Sequence, residues 1–218
     1  MRATIFDIDG TLIHSAKADD MIYRDSVISV LGPVRFRDSP HDYDRVTDDG
    51  ILLKIVEDND IEHSAKLVAA IKKDFFERTQ RHVLSNGPFN EVPGAKKFLR
   101  YLSDSATCRI AIATGGWRMT AEFKLETAGF DLSGIPLVSS DDGLDRSDIM
   151  ELALSRIDPQ QNVALDSVSY FGDGEWDRAA CAKLGWQFRA VGTALGGLDD
   201  YHGLITPIST ETMDDDFS

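Results

Sequence analysis

The sequence predicts an α/β protein with a parallel sheet and a helical insertion. Short apolar runs of strand length alternate with amphipathic helical patterns. Strands that alternate with helices form parallel sheets with right-handed crossovers. One long stretch, from about residue 15 to residue 90, carries helical patterns but no convincing buried strand. We therefore expect this stretch to be a helical domain inserted after the first strand.

Five brief apolar runs are predicted to be the strands of the sheet. Each is short, rich in β-branched or aromatic residues, and ends abruptly in polar residues or glycine. The first run begins at Ala3 and leads directly into Asp7 and Asp9. The others cover residues 109–114, 135–139, 168–173 and 186–191.

Helical patterns separate these runs. In the second half of the chain they cover residues 95–103, 117–128, 147–157 and 175–184. Gly129 and Gly185 follow two of these helices, where glycine is favoured as a C-terminal cap. Inside the insertion, apolar residues near 21–31, 51–56 and 67–76 predict three further helices.

Composition limits the partners of the protein. The chain has 218 residues, of which 42% are hydrophobic and 28% charged, and a net charge of −14. This excess of acid argues against nucleic acids and anionic membranes as main partners. A phosphorylated substrate remains compatible with it, because a local cation or bound metal reverses the field inside a cleft. Two cysteines without a CxxC pair, and no signal-like or membrane-spanning segment, predict a cytoplasmic protein. The oligomeric state is left open.

Asp7 and Asp9 are the first candidate catalytic residues. They follow a buried strand, and the carboxyl ends of strands are where open α/β sheets bind ligands. One carboxylate can attack phosphorus, and the other can act as general acid and base. The alternative is a turn with two solvated acids, because Asp-Gly is common in turns.

Three further strand ends carry matching chemistry. Thr114 and Gly115 precede a helix and could hold a phosphate, although a plain strand–helix turn explains them better in isolation. Asp173 could share Mg²⁺ with Asp7, with Asp177 one helical turn further on, or an acid here could simply cap the helix at 175–184. Arg146 could screen the charge of Asp7, and taken alone it reads as a solvated surface residue.

Together these segments resemble the haloacid dehalogenase-like superfamily, in its phosphoglycolate-phosphatase-like subgroup. The segment 7–11 is similar to its first motif, Thr114 to its second, Arg146 to its third and the segment 172–177 to its fourth. The resemblance implies a Rossmann-like parallel sheet of order 5-4-1-2-3 with an inserted α-helical cap domain. It divides the chain into a catalytic core, residues 1–14 and 91–218, and a cap, residues 15–90.

The resemblance also implies a role for each candidate residue. Asp7 is the phosphoryl-accepting nucleophile, and Asp9 is the acid/base with its backbone carbonyl on the metal. Thr114 and the Gly115 amide bind the phosphoryl group. Arg146, in a position where lysine is more usual, orients Asp7. Asp7, Asp9 and Asp173 hold Mg²⁺, and Asp177 supports the site.

The implied activity is a Mg²⁺-dependent phosphatase that hydrolyses a small phosphorylated metabolite through an aspartyl-phosphate. A sugar phosphomutase or a phosphonate hydrolase of the same superfamily is the alternative. A non-enzymatic binding module is a weaker one, because Asp7, Asp9, Thr114 and Asp173 are all present. The segment around Arg45, Thr47 and Asp48 resembles a cap segment that faces substrate, but a helix start explains it equally well.

Overall fold

The computed structural model describes residues 1–157 and 167–205, which fold around a five-stranded parallel sheet. The strands are β1 (Arg2–Phe6), β2 (Cys108–Ala113), β3 (Leu137–Val138), β4 (Ser167–Gly172) and β5 (Gln187–Ala190). Their order is β3-β2-β1-β4-β5, and every pairing is parallel. This is the predicted order 5-4-1-2-3 read from the other edge, so the fold prediction is confirmed.

The third strand is shorter than predicted. Residues 135–139 were expected to be extended, but only Leu137–Val138 pair with β2. Pro136 has no amide hydrogen and can only accept, and its carbonyl receives the Ile112 amide at 2.8 Å. The Ile135 amide is used in a turn to Leu132, at 3.0 Å. The prediction of a five-residue strand was therefore wrong, although the strand exists.

Within residues 1–157 and 167–205, seven α-helices accompany the sheet. They are α1 (Ala16–Leu31), α2 (Asp48–Asp58), α3 (Ala65–Asn86), α4 (Ala95–Ser103), α5 (Arg118–Thr127), α6 (Arg146–Ile157) and α7 (Glu175–Leu184). The last four lie within one residue of the predicted bounds, and Gly129 and Gly185 have positive φ just past α5 and α7, as expected. Among the described residues, no helix is both long enough and apolar enough to cross a bilayer.

The central strand β1 is buried on both faces, and this fixes where its carboxyl end lies. Ile5 and Phe6 alternate across the sheet and are each 0% exposed. Phe6 stacks on Phe171 at 4.9 Å on the side that carries α4 and α5. Ile5 packs with Tyr170 among residues of α6 and α7 on the other side. The first residue beyond β1 therefore emerges at the middle of the sheet edge.

The three helices of residues 15–90, which we call the cap segment, share an apolar cluster of their own. This cluster includes Val27, Ile55 and Phe75. The chain enters and leaves the cap segment side by side, because Ile13 bridges to Glu91 and the His14 amide donates to the Asn90 carbonyl at 2.8 Å. The division into core and cap domains stays a prediction, and residues 158–166 and 206–218 of the proposed core lie outside the described residues.

One core residue takes part in the cap cluster. Trp117, just before α5, is 2% exposed and lies 5.5 Å from Tyr23 and 5.6 Å from Phe75, measured between ring centroids. Its backbone amide donates to Asp48 Oδ2 at 2.9 Å. The start of α5 is thus packed directly against the cap segment.

Candidate active site

A cleft of about 250 Å³ opens where β1, β2 and β4 end. Its walls come from both the core and the cap segment. The residues contributed by the core include Asp7, Asp9, Thr114, Gly115, Gly116, Arg146 and Asp173. The cap segment contributes Asp19, Asp20, Tyr23, Thr47 and Asp48, among others. Of the seven residues to which the family resemblance gives a role, six line this cleft, and the seventh, Asp177, is 0% exposed.

Asp7 is placed by the continuation of β1. Its amide donates to the Phe171 carbonyl at 2.9 Å, so the ladder with β4 extends to the carboxylate itself. The chain then turns through Gly10, whose φ is +76°. A Cβ at Gly10 would lie 1.9 Å from Asp173 Oδ2. Only glycine therefore allows the two aspartate-bearing loops to approach this closely.

Arg146, at the start of α6, lies between two aspartates. Its Nη1 donates to Asp7 Oδ1 at 3.2 Å, and its Nε is 3.3 Å from Asp177 Oδ1, without good hydrogen-bond geometry. Its Nη2 also donates to the Val46 carbonyl of the cap segment at 3.3 Å. Burial raises the pKa of Asp7 to about 7, because desolvation and the charges of Asp177 and Asp9 together outweigh Arg146.

Three carboxylates come together beside this arginine. Asp7, Asp173 and Asp177 each offer an oxygen, and these oxygens all lie within 4.8 Å of one another. Burial, followed by the charges of Asp7 and Asp9, raises the pKa of Asp173 to about 7. Asp177 Oδ2 also accepts the Gly174 amide at 3.2 Å, so it caps α7 as well. Both readings of the 173–177 segment, helix capping and an acidic cluster, therefore describe the same geometry.

This cluster fits a divalent cation. Its donors are hard carboxylate oxygens, which Mg²⁺ prefers, and burial followed by neighbouring carboxylates raises the pKa values of Asp7 and Asp173, so a bound cation would favour their charged forms. Gly10 leaves room for Asp173 to approach from the side. Asp177 supplies the third carboxylate of this cluster. The ligand expected of Asp9 is its backbone carbonyl, which a cluster of side-chain atoms does not test, so that part stays a prediction.

The loop after β2 forms the opposite wall. Thr114 is buried, and its Oγ1 accepts the Gly116 amide at 3.2 Å. A Cβ at Gly115 would lie 2.7 Å from Arg146 Nη2 and 3.0 Å from the Val46 carbonyl. A larger residue would therefore push the arginine and the cap segment away. The loop leads to α5, whose N-terminus favours an anion.

Asp9 points away from the three-carboxylate cluster. Its Oδ1 accepts hydrogen bonds from the Ser15 hydroxyl and from Lys124 Nζ, the latter at 2.6 Å. The same ammonium lies 2.6 Å from Asp19 Oδ1. Burial opposes the charge of Lys124, but Asp19 and Asp9 outweigh it and raise its pKa above the usual value. Burial, followed by Asp9, raises the pKa of Asp19 to about 6.

Neither Lys124 nor Asp19 belongs to one of the motifs that predicted the site. A signal for Lys124 was present, because it falls on the same face of α5 as Thr120, Ala121 and Leu125, all buried. A lysine at a core-facing helical position is buried only when paired. Its two partners, however, are 115 and 105 residues away in the chain. Their identity could not be read from a local pattern.

The segment 45–48 combines the two roles considered for it. Thr47 caps α2 by accepting the Gly50 amide at 3.1 Å, and it donates to the Leu144 carbonyl at 2.8 Å. Both Thr47 and Asp48 also line the cleft. Burial, followed by the charge of Asp19, raises the pKa of Asp48 well above its usual value. Arg45 does not reach the cleft and pairs with Asp145 at 3.2 Å.

Solved structures with the same fold include proteins whose names refer to phosphate or to phosphorylated compounds. CbbY from Rhodobacter sphaeroides, in complex with phosphate, has a TM-score of 0.66 and 18% identity, covering 92% of this chain and 88% of that one. β-Phosphoglucomutase from Clostridium difficile has a TM-score of 0.64 and 15% identity, covering 93% and 86%. A protein from Lactobacillus plantarum, provisionally described as a phosphoglycolate phosphatase, has a TM-score of 0.55 and 20% identity, covering 87% and 85%. At these identities the similarity shows a shared fold.

Sequence comparison identifies the family. No curated protein matches the chain significantly. The family model for haloacid dehalogenase-like hydrolases matches residues 1–185, which include all seven candidate residues. The resemblance seen in the motifs is thereby confirmed, and the chain belongs to the haloacid dehalogenase-like hydrolase family.

Proposed function

We propose that the protein is a Mg²⁺-dependent phosphatase that hydrolyses a small phosphorylated metabolite through an aspartyl-phosphate on Asp7. One observation carries the proposal. Asp7, a carboxylate of raised pKa at the end of the central strand, shares one cleft with Asp173, a buried arginine and the loop before α5. Nucleophile, charge balance and anion site are the parts that phosphoryl transfer needs.

Asp7 and Asp173 would hold Mg²⁺, with the Asp9 carbonyl as a third ligand and Asp177 behind them. When bound, the cation neutralises the repulsion between Asp7 and the phosphate and polarises the phosphoryl group. Arg146 orients Asp7 through its contact with Oδ1. Asp177 in turn holds the other side of the guanidinium.

The proposed reaction has two steps. A carboxylate oxygen of Asp7 attacks phosphorus, the bond from phosphorus to the ester oxygen breaks, and that oxygen takes a proton from Asp9. Water then attacks the phosphorus of the aspartyl-phosphate and gives a proton to Asp9, and the bond from phosphorus to the Asp7 oxygen breaks. This step releases phosphate and restores the Asp7 carboxylate and the acid form of Asp9. The Thr114 hydroxyl and the Gly115 amide bind the phosphoryl oxygens during both steps.

The cleft favours a small monophosphate. Its volume is about 250 Å³, and cap contacts such as the hydrogen bond of 2.8 Å from the Asp48 amide to the Gly115 carbonyl border it. Among the described residues that line it, Arg146 is the one cation, whereas the cap wall carries Asp19, Asp20 and Asp48. A second phosphate group would meet carboxylates there. We therefore expect an uncharged leaving group, with or without further hydroxyl groups.

The same features bear on the two alternatives. A sugar phosphomutase passes through a sugar with two phosphates, and the acidic cap wall offers the second one no partner among the described residues. A phosphonate hydrolase needs a neutral lysine in the cleft to form a Schiff base. Lys124 is buried between two carboxylates that keep it protonated. Hydrolysis of a phosphomonoester is the activity that these residues favour.

The proposal is tested by measuring phosphate release from a panel of phosphorylated metabolites with and without Mg²⁺. We expect Mg²⁺-dependent hydrolysis that falls at least about a thousandfold in Asp7→Asn, because the amide is not a nucleophile. Asp104→Asn, an exposed aspartate at the far end of α4, is the matched control and should hydrolyse at the normal rate. Unchanged turnover in a folded Asp7→Asn protein would refute the proposal. Isomerised sugar phosphate without free phosphate would favour the mutase.

A further inference from the structure

We infer that Lys124 is a positioning residue that fixes which oxygen of Asp9 carries the reacting proton, and that Asp19 of the cap segment holds Lys124 in place. The inference rests on the proposed role of Asp9 as acid and base. Lys124 lies outside the motifs that identified the site, and its contact with Asp19 connects it to the cap segment.

The two oxygens of Asp9 have different surroundings. Oδ1 accepts from the Lys124 ammonium at 2.6 Å and from the Ser15 hydroxyl. An oxygen that already accepts from an ammonium and a hydroxyl is the poorer place for a proton. The proton of the acid form therefore resides on Oδ2.

Oδ2 faces the loop that is proposed to bind phosphate. A Cβ added at Gly116 would lie 3.6 Å from Thr114 Oγ1 and 3.9 Å from Asp9 Oδ2. The proton-bearing oxygen and the threonine hydroxyl thus flank the same point of the loop. If the carboxyl group of Asp9 rotated, the proton would be turned away from the leaving oxygen. Two donors on Oδ1 prevent this rotation.

Lys124 itself is held rigidly. Its side chain is 2% exposed and projects from the middle of α5, between the buried residues Thr120 and Ala121 on one side and Leu125 on the other. An ammonium is costly to bury unless carboxylates surround it. Asp9 and Asp19 both lie 2.6 Å from Nζ, which fixes the ammonium from two sides.

Asp19 connects this arrangement to the cap segment. It lies in the first turn of α1, whereas Asp9 follows β1 and Lys124 is on α5. The ammonium is therefore a bridge between the core and the cap segment. Ser15, the second donor to Asp9, precedes α1 directly. The acid is oriented by groups that meet only when α1 packs close to α5.

A purely structural ion pair would behave differently from a positioning residue. Removing a structural pair lowers stability and affects all substrates alike. Removing a group that orients a general acid slows substrates whose leaving oxygen needs a proton. It has little effect on p-nitrophenyl phosphate, whose phenolate leaves without one. Dependence on the leaving group therefore separates the two roles.

The experiment measures the first-turnover rate of Asp7 phosphorylation, with the full-length protein and Mg²⁺, for an alkyl phosphate and for p-nitrophenyl phosphate. In Lys124→Met we expect a loss of about 10- to 100-fold with the alkyl phosphate, a fraction of what a general acid contributes. The loss with p-nitrophenyl phosphate should be less than about threefold on the same reasoning. Equal losses with both substrates would overturn the inference.

A double-mutant cycle provides the second readout. If Lys124 acts through Asp9, then Lys124→Met should slow the Asp9→Asn protein no further, whereas independent roles would multiply. A multiplied loss overturns the inference. If Lys124→Met does not fold, Lys124→Gln, whose shorter and uncharged side chain still carries an NH2 donor, is measured in the same way. If Asp9→Asn itself shows no dependence on the leaving group, the proposed function of Asp9 fails. If Asp9→Asn depends on the leaving group and the Lys124 variants do not, the inference alone fails.

Discussion

Two buried cations, one on each side of the cleft, are each held between two aspartates. Arg146 lies between Asp7 and Asp177, both in the core. Lys124 lies between Asp9 in the core and Asp19 in the cap segment. The two side chains are 10% and 2% exposed, so neither charge is well solvated. The arrangements are alike in chemistry and differ in where their partners come from.

This difference distinguishes the surroundings of Asp7, the proposed nucleophile, from those of Asp9, the proposed acid/base. The charge partner of the nucleophile is supplied by residues that fold with the sheet, together with one cap carbonyl, that of Val46. The partner of the acid/base is shared with α1. We therefore expect the nucleophile to keep its environment when the cap segment moves, and the acid/base to lose part of its own.

The largest effect is expected from Arg146→Met, which removes the cation on the core side. We expect at least about a thousandfold loss in kcat/KM, because Asp7 loses the cation that orients it. At pH 8 the free energy of unfolding should fall by about 3–5 kcal/mol, since two buried carboxylates lose their partner. Kinetics and urea denaturation measure the two effects.

The stability loss in Arg146→Met should shrink as the pH falls. Asp7 and Asp177 have pKa values of about 7 and about 6, raised from the usual 3.8. At pH 5 both bind protons in the folded protein and no longer need the guanidinium. Arg146→Lys is the control that keeps the charge. An equal loss of stability at pH 5 and pH 8 would contradict this account.

A second prediction concerns the core side alone, through binding of Mg²⁺. Because the pKa values of Asp7 and Asp173 are raised to about 7, protons stabilise the fold below about pH 4, and this contribution is lost as the pH rises through 7. Mg²⁺ takes the place of those protons. It should therefore raise Tm more at pH 8 than at pH 5.5.

The size of this shift follows from mass action. At a hundred times Kd, binding stabilises by about 2.7 kcal/mol, or roughly 5–10 °C in Tm for a chain of this size. Asp173→Asn should abolish most of the shift, whereas Asp104→Asn should keep it. A shift that is the same at both pH values would show that Mg²⁺ binds elsewhere.

The smallest effect is expected from Asp19→Asn, which removes the carboxylate on the cap side. Asp19→Asn leaves Lys124 with one carboxylate, so we expect kcat on an alkyl phosphate to fall by about three- to tenfold. The matched control is Arg45→Gln, which breaks an exposed pair between the same two parts of the chain, with both partners 42% exposed. Exposed pairs contribute little, so kcat should change by less than about twofold. A larger effect in Arg45→Gln would show that cap contacts in general, and not Asp19, set the rate.

The core half of the site could be predicted because strand ends determine it. Once β1, β2 and β4 are recognised as parallel neighbours, the residues that follow them must meet at one edge. Asp7, Thr114 and Asp173 do so in the structure. Arg146 fits the same rule less directly, since it starts a helix after a loop. Strand β3 shows the limit of local patterns, because Pro136 shortens a run that is apolar throughout.

The cap half could not be predicted in the same way. Asp19 and Lys124 belong to two helices whose packing depends on the whole insertion, and neither lies near a motif. Burial of Lys124 follows from its helical face, but its pairing depends on how α1 lies relative to α5. Long-range pairing of this kind is a property of the assembled tertiary structure.

The position of the insertion also has a consequence for how the chain folds. β1 precedes its two partner strands by a long stretch of chain, because they pair with it from Cys108 and Ser167 onwards. The helices between them make contacts that are closer in sequence, such as those of α1 with α3, and such contacts form early. Once they do, the Ile13–Glu91 bridge leaves a much shorter loop to close before β1 meets β2, which lowers the entropic cost by about 1–2 kcal/mol. The segment that lines one wall of the cleft thus also brings together the strands whose ends form the other walls.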